Sequence, residues 1–129
     1  MTRTPAELAL GWREALVGRD PRAFGELFAL DGVMLDVEHR TDDLAEPRTL
    51  EGRPTIEGMA RDWLEATPEF EYDVLEVLSD ESRAAVRWRY AVEGLELGGL
   101  SWLDCEGGEI RKALVVFDSL GLYRGLGRV

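Results

Sequence analysis

The chain has 129 residues, of which 45% are hydrophobic and 32% are charged. This length predicts a single domain over residues 1–129 with one core, and the composition excludes wholesale disorder. The formal net charge of -11 disfavours nucleic acid and anionic membranes as partners, because both carry negative charge themselves. A small, largely uncharged organic molecule is the partner that this charge favours.

Cys105 is the only cysteine, which excludes an internal disulfide and a thiolate metal site. The first residues contain no apolar signal segment, and no apolar run reaches the length of a membrane span. We therefore expect a cytoplasmic protein. The sequence contains no phosphate-binding glycine loop, nucleophile elbow or metal-ligand cluster, so it implies no cofactor and no metal.

Three amphipathic helices are predicted from their end signals. Thr4-Pro5-Ala6-Glu7 is a capping box with proline at the first helical position, and Gly18 ends that helix. Asp20-Pro21 begins a second helix, and Pro54 begins a third, which ends at 67–68. The apolar residues that we expect to face the core are Leu8, Trp12, Ala15, Leu16, Phe24, Leu27, Phe28, Ile56, Met59, Ala60 and Trp63.

The first strand is predicted at Gly32–His39, where apolar and polar residues alternate with period two. Met34, Asp36 and Glu38 share one face of this strand. A carboxylate at Asp36, within an otherwise apolar strand, calls for a chemical explanation. The polar residues 39–54 predict a long loop.

Four further strands are predicted at Phe70–Leu78, Ala84–Val92, Leu97–Cys105 and Ile110–Asp118, separated by turns. Helices followed by consecutive hairpins predict an α+β domain whose antiparallel sheet is covered by the three helices.

An aromatic-rich cavity should lie between the helices and one face of the sheet. The residues predicted to line it are Trp12, Met59, Trp63, Val86, Trp88, Tyr90, Leu100, Trp102, Leu114, Val116 and Asp118. Such a cavity suits flat or polycyclic ligands. The opposite face would carry Arg87, Arg89, Leu103, Ala113, Val115 and Phe117. This mixture of arginine and large apolar groups predicts a homodimer through the outer sheet face.

Five short motifs follow one another in a familiar order: Trp12-Arg13-Glu14-Ala15-Leu16, Gly18-Arg19-Asp20, Leu27-Phe28-Ala29, Gly52-Arg53-Pro54-Thr55-Ile56 and Gly107-Gly108-Glu109-Ile110. From Trp12 to Asp118 the chain thereby resembles the nuclear transport factor 2-like superfamily. That group includes ketosteroid isomerases, SnoaL-like polyketide cyclases and limonene epoxide hydrolases. The resemblance implies a cone-shaped curved sheet wrapped around helices.

The resemblance also implies roles for two acids. Asp36 matches the general base of the ketosteroid isomerases, and Asp118 matches the acid near the end of the last strand in SnoaL-like cyclases and limonene epoxide hydrolases. Trp12 replaces the oxyanion-stabilising tyrosine of the isomerases, and Leu100 or a neighbour replaces their second aspartate, which disfavours steroid isomerisation. The strand Ala84–Val92 lacks the Arg-x-Asp pair of the epoxide hydrolases, which disfavours epoxide hydrolysis.

Burial of a carboxylate in an apolar cavity makes it a stronger base towards a carbon acid. The hypothesis is that Asp36 and Asp118 abstract a proton next to a carbonyl group and drive cyclisation, isomerisation or dehydration, with the choice of base left open. Alternatively, Asp118 caps a C-terminal turn and Asp36 lies solvated at the cavity edge. His39, three residues from Asp36, is either a ligand contact or a surface residue.

Two other functions remain open at this point. The same cavity would serve a non-catalytic module that binds a metabolite, and the outer sheet face would serve a protein-interaction domain. Two cavity acids without partners would be costly in a mere binder, which favours the enzyme.

Overall fold

The structure is a computed structural model that describes residues 2–37 and 48–117. These residues form three helices, α1 (Pro5–Val17), α2 (Pro21–Glu26) and α3 (Arg53–Ala66). They also form six strands: β1 (Phe28–Val37), β2 (Arg48–Glu51), β3 (Glu71–Ser79), β4 (Arg83–Val92), β5 (Leu95–Glu106) and β6 (Glu109–Phe117). None of the helices in these ranges has the length and apolar character needed to cross a membrane.

The helix ends follow the predicted signals. The Thr4 hydroxyl accepts a hydrogen bond from the Glu7 backbone N–H at 3.2 Å, and the Glu7 carboxylate accepts one from the Thr4 N–H at 3.0 Å. Asp20 caps α2 in a similar way, by accepting from the Ala23 N–H at 3.0 Å. These bonds satisfy N–H groups that would otherwise lack partners in the first turn of each helix.

The strands form one curved, open sheet in the order β2-β1-β6-β5-β4-β3. Every neighbouring pair is antiparallel except β1 and β6, which are parallel, so the sheet is mixed rather than wholly antiparallel. β1 and β6 are separated by most of the chain, and the hairpin geometry that enforces antiparallel pairing does not apply to them.

The largest differences from the predicted strands concern β1 and β2. β1 begins at Phe28, four residues before the predicted start at Gly32. The prediction missed these residues because the helical spacing of Leu27 and Phe28 had assigned them to the second helix. β2 (Arg48–Glu51) lies within the predicted loop and pairs with β1. A four-residue strand is too short to stand out in a polar segment.

The core lies between the helices and the face of the sheet that they cover, hereafter the inner face. Trp12 packs edge-on against Phe24, with ring centroids 4.7 Å apart, and Phe28 lies 5.8 Å from Trp12. On β4 the inner face carries Val86, Trp88 and Tyr90, as predicted, and all three are buried.

The predicted alternation of β5 and β6 was wrong by one residue. Leu100 and Trp102 are 58% and 43% exposed on the outer face, while Ser101 is buried on the inner face opposite Val86. The same correction applies to β6. Ala113, Val115 and Phe117 lie on the inner face. Leu114 and Val116 lie on the outer face. Leu103 likewise belongs to the core rather than the outer face.

A glycine on β5 makes room for the largest inner-face side chain. Gly99 pairs with Trp88, and a Cβ atom at Gly99 would lie only 2.1 Å from the Trp88 ring. A Cβ at the preceding Gly98 would meet only a backbone oxygen, at an ordinary 3.6 Å. The Trp88 ring therefore occupies the space that a side chain at position 99 would fill, so this position requires glycine.

We expect Gly99→Ala to lower the free energy of unfolding by about 1–3 kcal/mol, because a rigid indole must move to admit the methyl group. Urea unfolding followed by Trp fluorescence measures this difference. Gly98→Ala is the matched control and should stay within about 0.5 kcal/mol of wild type. Equal free energies of unfolding for the two variants would show that the position of the Trp88 indole does not require glycine at position 99.

Cys105 is half-buried near the end of β5, where burial first and Asp104 second raise the pKa of its thiol to about 11. At about pH 8 the folded protein should therefore react with iodoacetamide roughly a hundredfold more slowly than the protein unfolded in urea. The folded rate should rise as the pH approaches the raised pKa. Equal rates for folded and unfolded protein at pH 8 would contradict this burial.

Candidate functional site

A cavity of about 630 Å³ lies between the inner face of the sheet and the helices. Its lining consists of Trp12, Leu16, Phe24, Met34, Asp36, Arg48, Leu50, Thr55, Gly58, Met59, Ala60, Asp62, Trp63, Tyr72, Trp88, Tyr90, Ser101, Val115 and Phe117. Most of these side chains are apolar or aromatic, and the volume is in the range of pockets that hold small organic ligands.

The structure brings part of the predicted site together. Trp12, Met59, Trp63, Trp88, Tyr90 and Asp36 line the cavity, and Val86 lines a narrower neighbouring recess. Leu100, Trp102, Leu114 and Val116 do not, because they lie on the outer face. Asp118 and His39 fall outside the described residues.

Asp36 is a buried acid in the cavity wall, and one of its partners is an arginine on the neighbouring strand. Asp36 is 6% exposed and lies directly across from Arg48 in the pairing of β1 with β2. Arg48 Nη2 lies 3.1 Å from Asp36 Oδ2, and the Arg48 side chain is 49% exposed. A neighbouring guanidinium favours the ionised carboxylate, whereas burial disfavours it.

Sequence reasoning missed Arg48, because it stood in the predicted loop. Its only local signal is that Arg48 and Leu50 alternate with Thr49 and Glu51, as in a strand with one face turned inward. The pairing with Asp36 depends on the register of β1 and β2.

A second polar group lies on the inner face of β5. The Trp88 indole Nε1 donates to the buried Ser101 hydroxyl oxygen over 3.0 Å. The Tyr72 ring stacks on Trp88 with centroids 5.5 Å apart, and burial raises the pKa of the Tyr72 phenol, which keeps it protonated. Sequence reasoning missed Ser101 because it took the adjacent Leu100 and Trp102 as the inward residues.

Exposed lining residues mark where the cavity opens to solvent. Thr55 and Asp62 on α3 are exposed, as is Arg48. Gly58 lines the cavity from the same helix, and a Cβ atom there would contact nothing within 4 Å. Within residues 2–37 and 48–117, no group of three or more His, Cys, Asp or Glu residues is placed to hold a metal ion.

Solved structures with this architecture come from several bacteria. A protein with a ketosteroid isomerase-like fold from Catenulispora acidiphila, in complex with trimethylamine, is 23% identical over 89% of this chain and 87% of its own, with a TM-score of 0.70. IdmH, a candidate polyketide cyclase from Streptomyces antibioticus, is 19% identical over 95% of this chain and 98% of its own, with a TM-score of 0.74.

A nuclear transport factor 2-like protein of unknown function from Cytophaga hutchinsonii is 16% identical over 95% of this chain and 97% of its own, with a TM-score of 0.70. At these identities the likeness establishes the fold. No curated protein matches the sequence. The SnoaL-like domain family matches residues 9–113, which is most of the chain, and the protein therefore belongs to the SnoaL-like family within the nuclear transport factor 2-like superfamily.

Proposed function

We propose that the protein binds a small apolar carbonyl compound in this cavity and that Asp36 removes a proton from the carbon next to the carbonyl group. The observation that carries the proposal is a buried carboxylate in the wall of a cavity lined mainly by aromatic and aliphatic side chains. Exclusion of water strengthens electrostatic interactions with a bound substrate and lets a positioned carboxylate act as a general base.

The chemistry would begin with the Asp36 carboxylate. It takes the proton from the α-carbon, and the electrons of the broken C–H bond move onto the carbonyl oxygen to give an enolate. Return of the proton from Asp36 to a different carbon gives isomerisation. Attack of the enolate on a second carbonyl group of the ligand gives cyclisation, and the proton passes to the new alkoxide. Loss of a hydroxyl group from the β-carbon, which leaves as water with that proton, gives dehydration. Arg48 favours the ionised form of Asp36, which is the form that accepts a proton.

Two further residues belong to the proposal through the family resemblance and the sequence. Asp118 would be a second acid that protonates the enolate or shares the role of base, as its match to the SnoaL-like cyclases implies. His39 would contact the ligand.

A non-catalytic binding module is the second candidate. The ion pair between Asp36 and Arg48 is compatible with a carboxylate that has only a structural role. The Catenulispora acidiphila structure holds trimethylamine, which supports small-molecule binding without requiring a reaction.

Exchange of α-protons separates the two candidates. Wild-type protein in D2O should accelerate loss of the α-proton NMR signals of β-tetralone, a flat enolisable ketone, above the buffer rate. Asp36→Asn should reduce the protein-dependent rate by about 10²-fold or more, because the amide cannot accept the proton. Asp118→Asn tests the second acid in the same assay.

Asp31→Asn is the matched control, because Asp31 is also on β1 and also pairs with an arginine, Arg111, at 3.1 Å, but on the exposed surface. The Asp31→Asn variant should exchange the α-protons of β-tetralone at the wild-type rate. If Asp36→Asn is folded, as thermal unfolding shows, and exchanges as fast as wild type, Asp36 is not the base and the binding module is favoured.

We also propose a homodimer through the outer face of the sheet. Leu35, Leu114 and Trp102 form one cross-strand row on this face, and Val116 and Leu100 lie in the next. Leu100, Trp102 and Val116 are large apolar side chains that are 58%, 43% and 42% exposed. A contiguous apolar patch of this kind marks an interaction surface.

Light scattering at micromolar concentration should give twice the monomer mass of 14.5 kDa. The double substitution Leu100→Glu and Trp102→Glu should give a monomer, because it buries two carboxylates in the contact. Leu10→Glu, at an exposed leucine on α1, should leave the dimer intact. A monomeric wild-type protein would exclude this interface.

A further inference from the structure

Aromatic rings from separate elements of the fold line the cavity on several sides. They include Trp12 on α1, Trp63 on α3, Tyr72 on β3, Trp88 and Tyr90 on β4, and Phe117 on β6. The Trp63 and Tyr90 centroids are 5.5 Å apart and their planes are tilted by 45°. The Trp88 and Phe117 centroids are 6.0 Å apart with a tilt of 55°. The rings therefore meet at angles and do not form one flat stack.

Aromatic rings give an otherwise apolar wall an affinity for cations. The face of each ring carries partial negative charge, so it attracts a cation placed over it, and tryptophan is the strongest of the three ring types. The fold already contains one such contact beside the cavity. The Arg19 guanidinium carbon lies 5.8 Å from the centroid of Phe70, and the Phe70 ring packs against Trp63 and Tyr90.

The charged side chains of the lining leave one negative charge without a counterion. In the described part of the chain these side chains are Asp36, Arg48 and Asp62. Arg48 pairs with Asp36, so their charges offset each other. Asp62 is exposed at the cavity mouth, and no described side chain pairs with it. The neighbouring Arg61 pairs instead with Glu57, at 2.9 Å.

The unpaired carboxylate and the rings meet in the same part of the cavity. Asp62 precedes Trp63 on α3, so their Cα atoms are about 3.8 Å apart, and both side chains line the cavity. Arg19 does not line it, because its guanidinium donates to the carbonyl oxygens of Leu64 and Thr67 at the end of α3. A ligand group against the Trp63 ring therefore lies in the field of the Asp62 charge.

We propose that this part of the cavity binds a methylated ammonium group at one end of the ligand, with Trp63 and Tyr90 as the ring contacts and Asp62 as the counterion at the mouth. A primary ammonium has three N–H donors, and a lining made mostly of rings and aliphatic groups supplies few acceptors for them. A trimethylammonium group has no N–H donor and is satisfied by rings and a nearby negative charge. The inference concerns the charge of the ligand and does not depend on the proposed reaction.

Phenyltrimethylammonium and tert-butylbenzene test the proposal, because they have nearly the same shape and differ in one positive charge. An ordinary apolar cavity would prefer the hydrocarbon strongly, since moving a charge out of water is unfavourable. Titration calorimetry of the wild-type protein should instead show phenyltrimethylammonium bound at least as tightly as tert-butylbenzene. Tighter binding of tert-butylbenzene would overturn the proposal.

Asp62→Asn removes the counterion and keeps the size of the side chain. It should weaken phenyltrimethylammonium binding about threefold at low salt and leave tert-butylbenzene binding unchanged, because an exposed charge interacts weakly and is screened by salt. Glu65→Gln is the matched control, since Glu65 is an exposed acid on the same helix that does not line the cavity. It should leave the affinities for both probes unchanged. Equal effects of the two substitutions would show that Asp62 is not the counterion.

Fluorination tests the rings with little change in their packing. Biosynthetic replacement of tryptophan by 5-fluorotryptophan withdraws electron density from the ring face, so phenyltrimethylammonium should bind about twofold more weakly and tert-butylbenzene with unchanged affinity. Trp63→Leu should weaken binding of the cation about tenfold more than binding of the hydrocarbon. The proposal is wrong if fluorination changes the two affinities equally or changes neither.

These outcomes are separable from those of the proposed function. Proton exchange is measured on β-tetralone, which is neutral, and it depends on Asp36, whereas the binding of phenyltrimethylammonium involves no reaction. Exchange that depends on Asp36, together with tighter binding of tert-butylbenzene, would retain the reaction and exclude the ammonium site. Tight, Asp62-dependent binding of the cation without exchange would retain the ammonium site and exclude the reaction.

Discussion

The parallel pairing of β1 with β6 is the constraint on which the cavity depends. It places Asp36, from the start of the chain, in register with Val115 and hence with Ser101 on β5. Side chains alternate with period two, so a slip of one residue would turn Asp36 to the outer face and Val33 or Leu35 towards the cavity. β2 then adds Arg48 directly across from Asp36, where its guanidinium lies 3.1 Å from the carboxylate.

The cavity stays open because its aromatic residues pack against one another rather than into its centre. Trp63 lies 4.8 Å from Phe70 and 5.5 Å from Tyr90, measured between ring centroids. The Trp88 ring lies against Gly99, stacks on Tyr72 and donates a hydrogen bond to Ser101, and these contacts hold it in place. Rings held in this way need little further ordering when a ligand enters, which lowers the entropic cost of binding.

Local signals made the helices and the face of β4 predictable from sequence. Caps and prolines determine where α1 and α2 begin, and Arg87 and Arg89 mark the outer side of β4. β5 and β6 carry large apolar residues on both faces, since the outer face is itself apolar, so alternation alone could not distinguish Leu100 from Ser101. The pair Gly98-Gly99 was the available clue, because glycine within a strand often marks a close approach.

Asp36 stood out in the sequence because a lone carboxylate interrupts an apolar strand, whereas Arg48 depended on strand pairing that no local pattern reveals. Replacing a buried ion pair by apolar groups is often neutral or stabilising, so the pair needs a reason beyond stability. Here Arg48 keeps half of its side chain in water, and most of the desolvation cost falls on Asp36. Asp36 is thus kept in the cavity wall despite its desolvation cost, on the same cross-strand row as the buried Ser101 hydroxyl. Ligand chemistry explains this placement better than packing does.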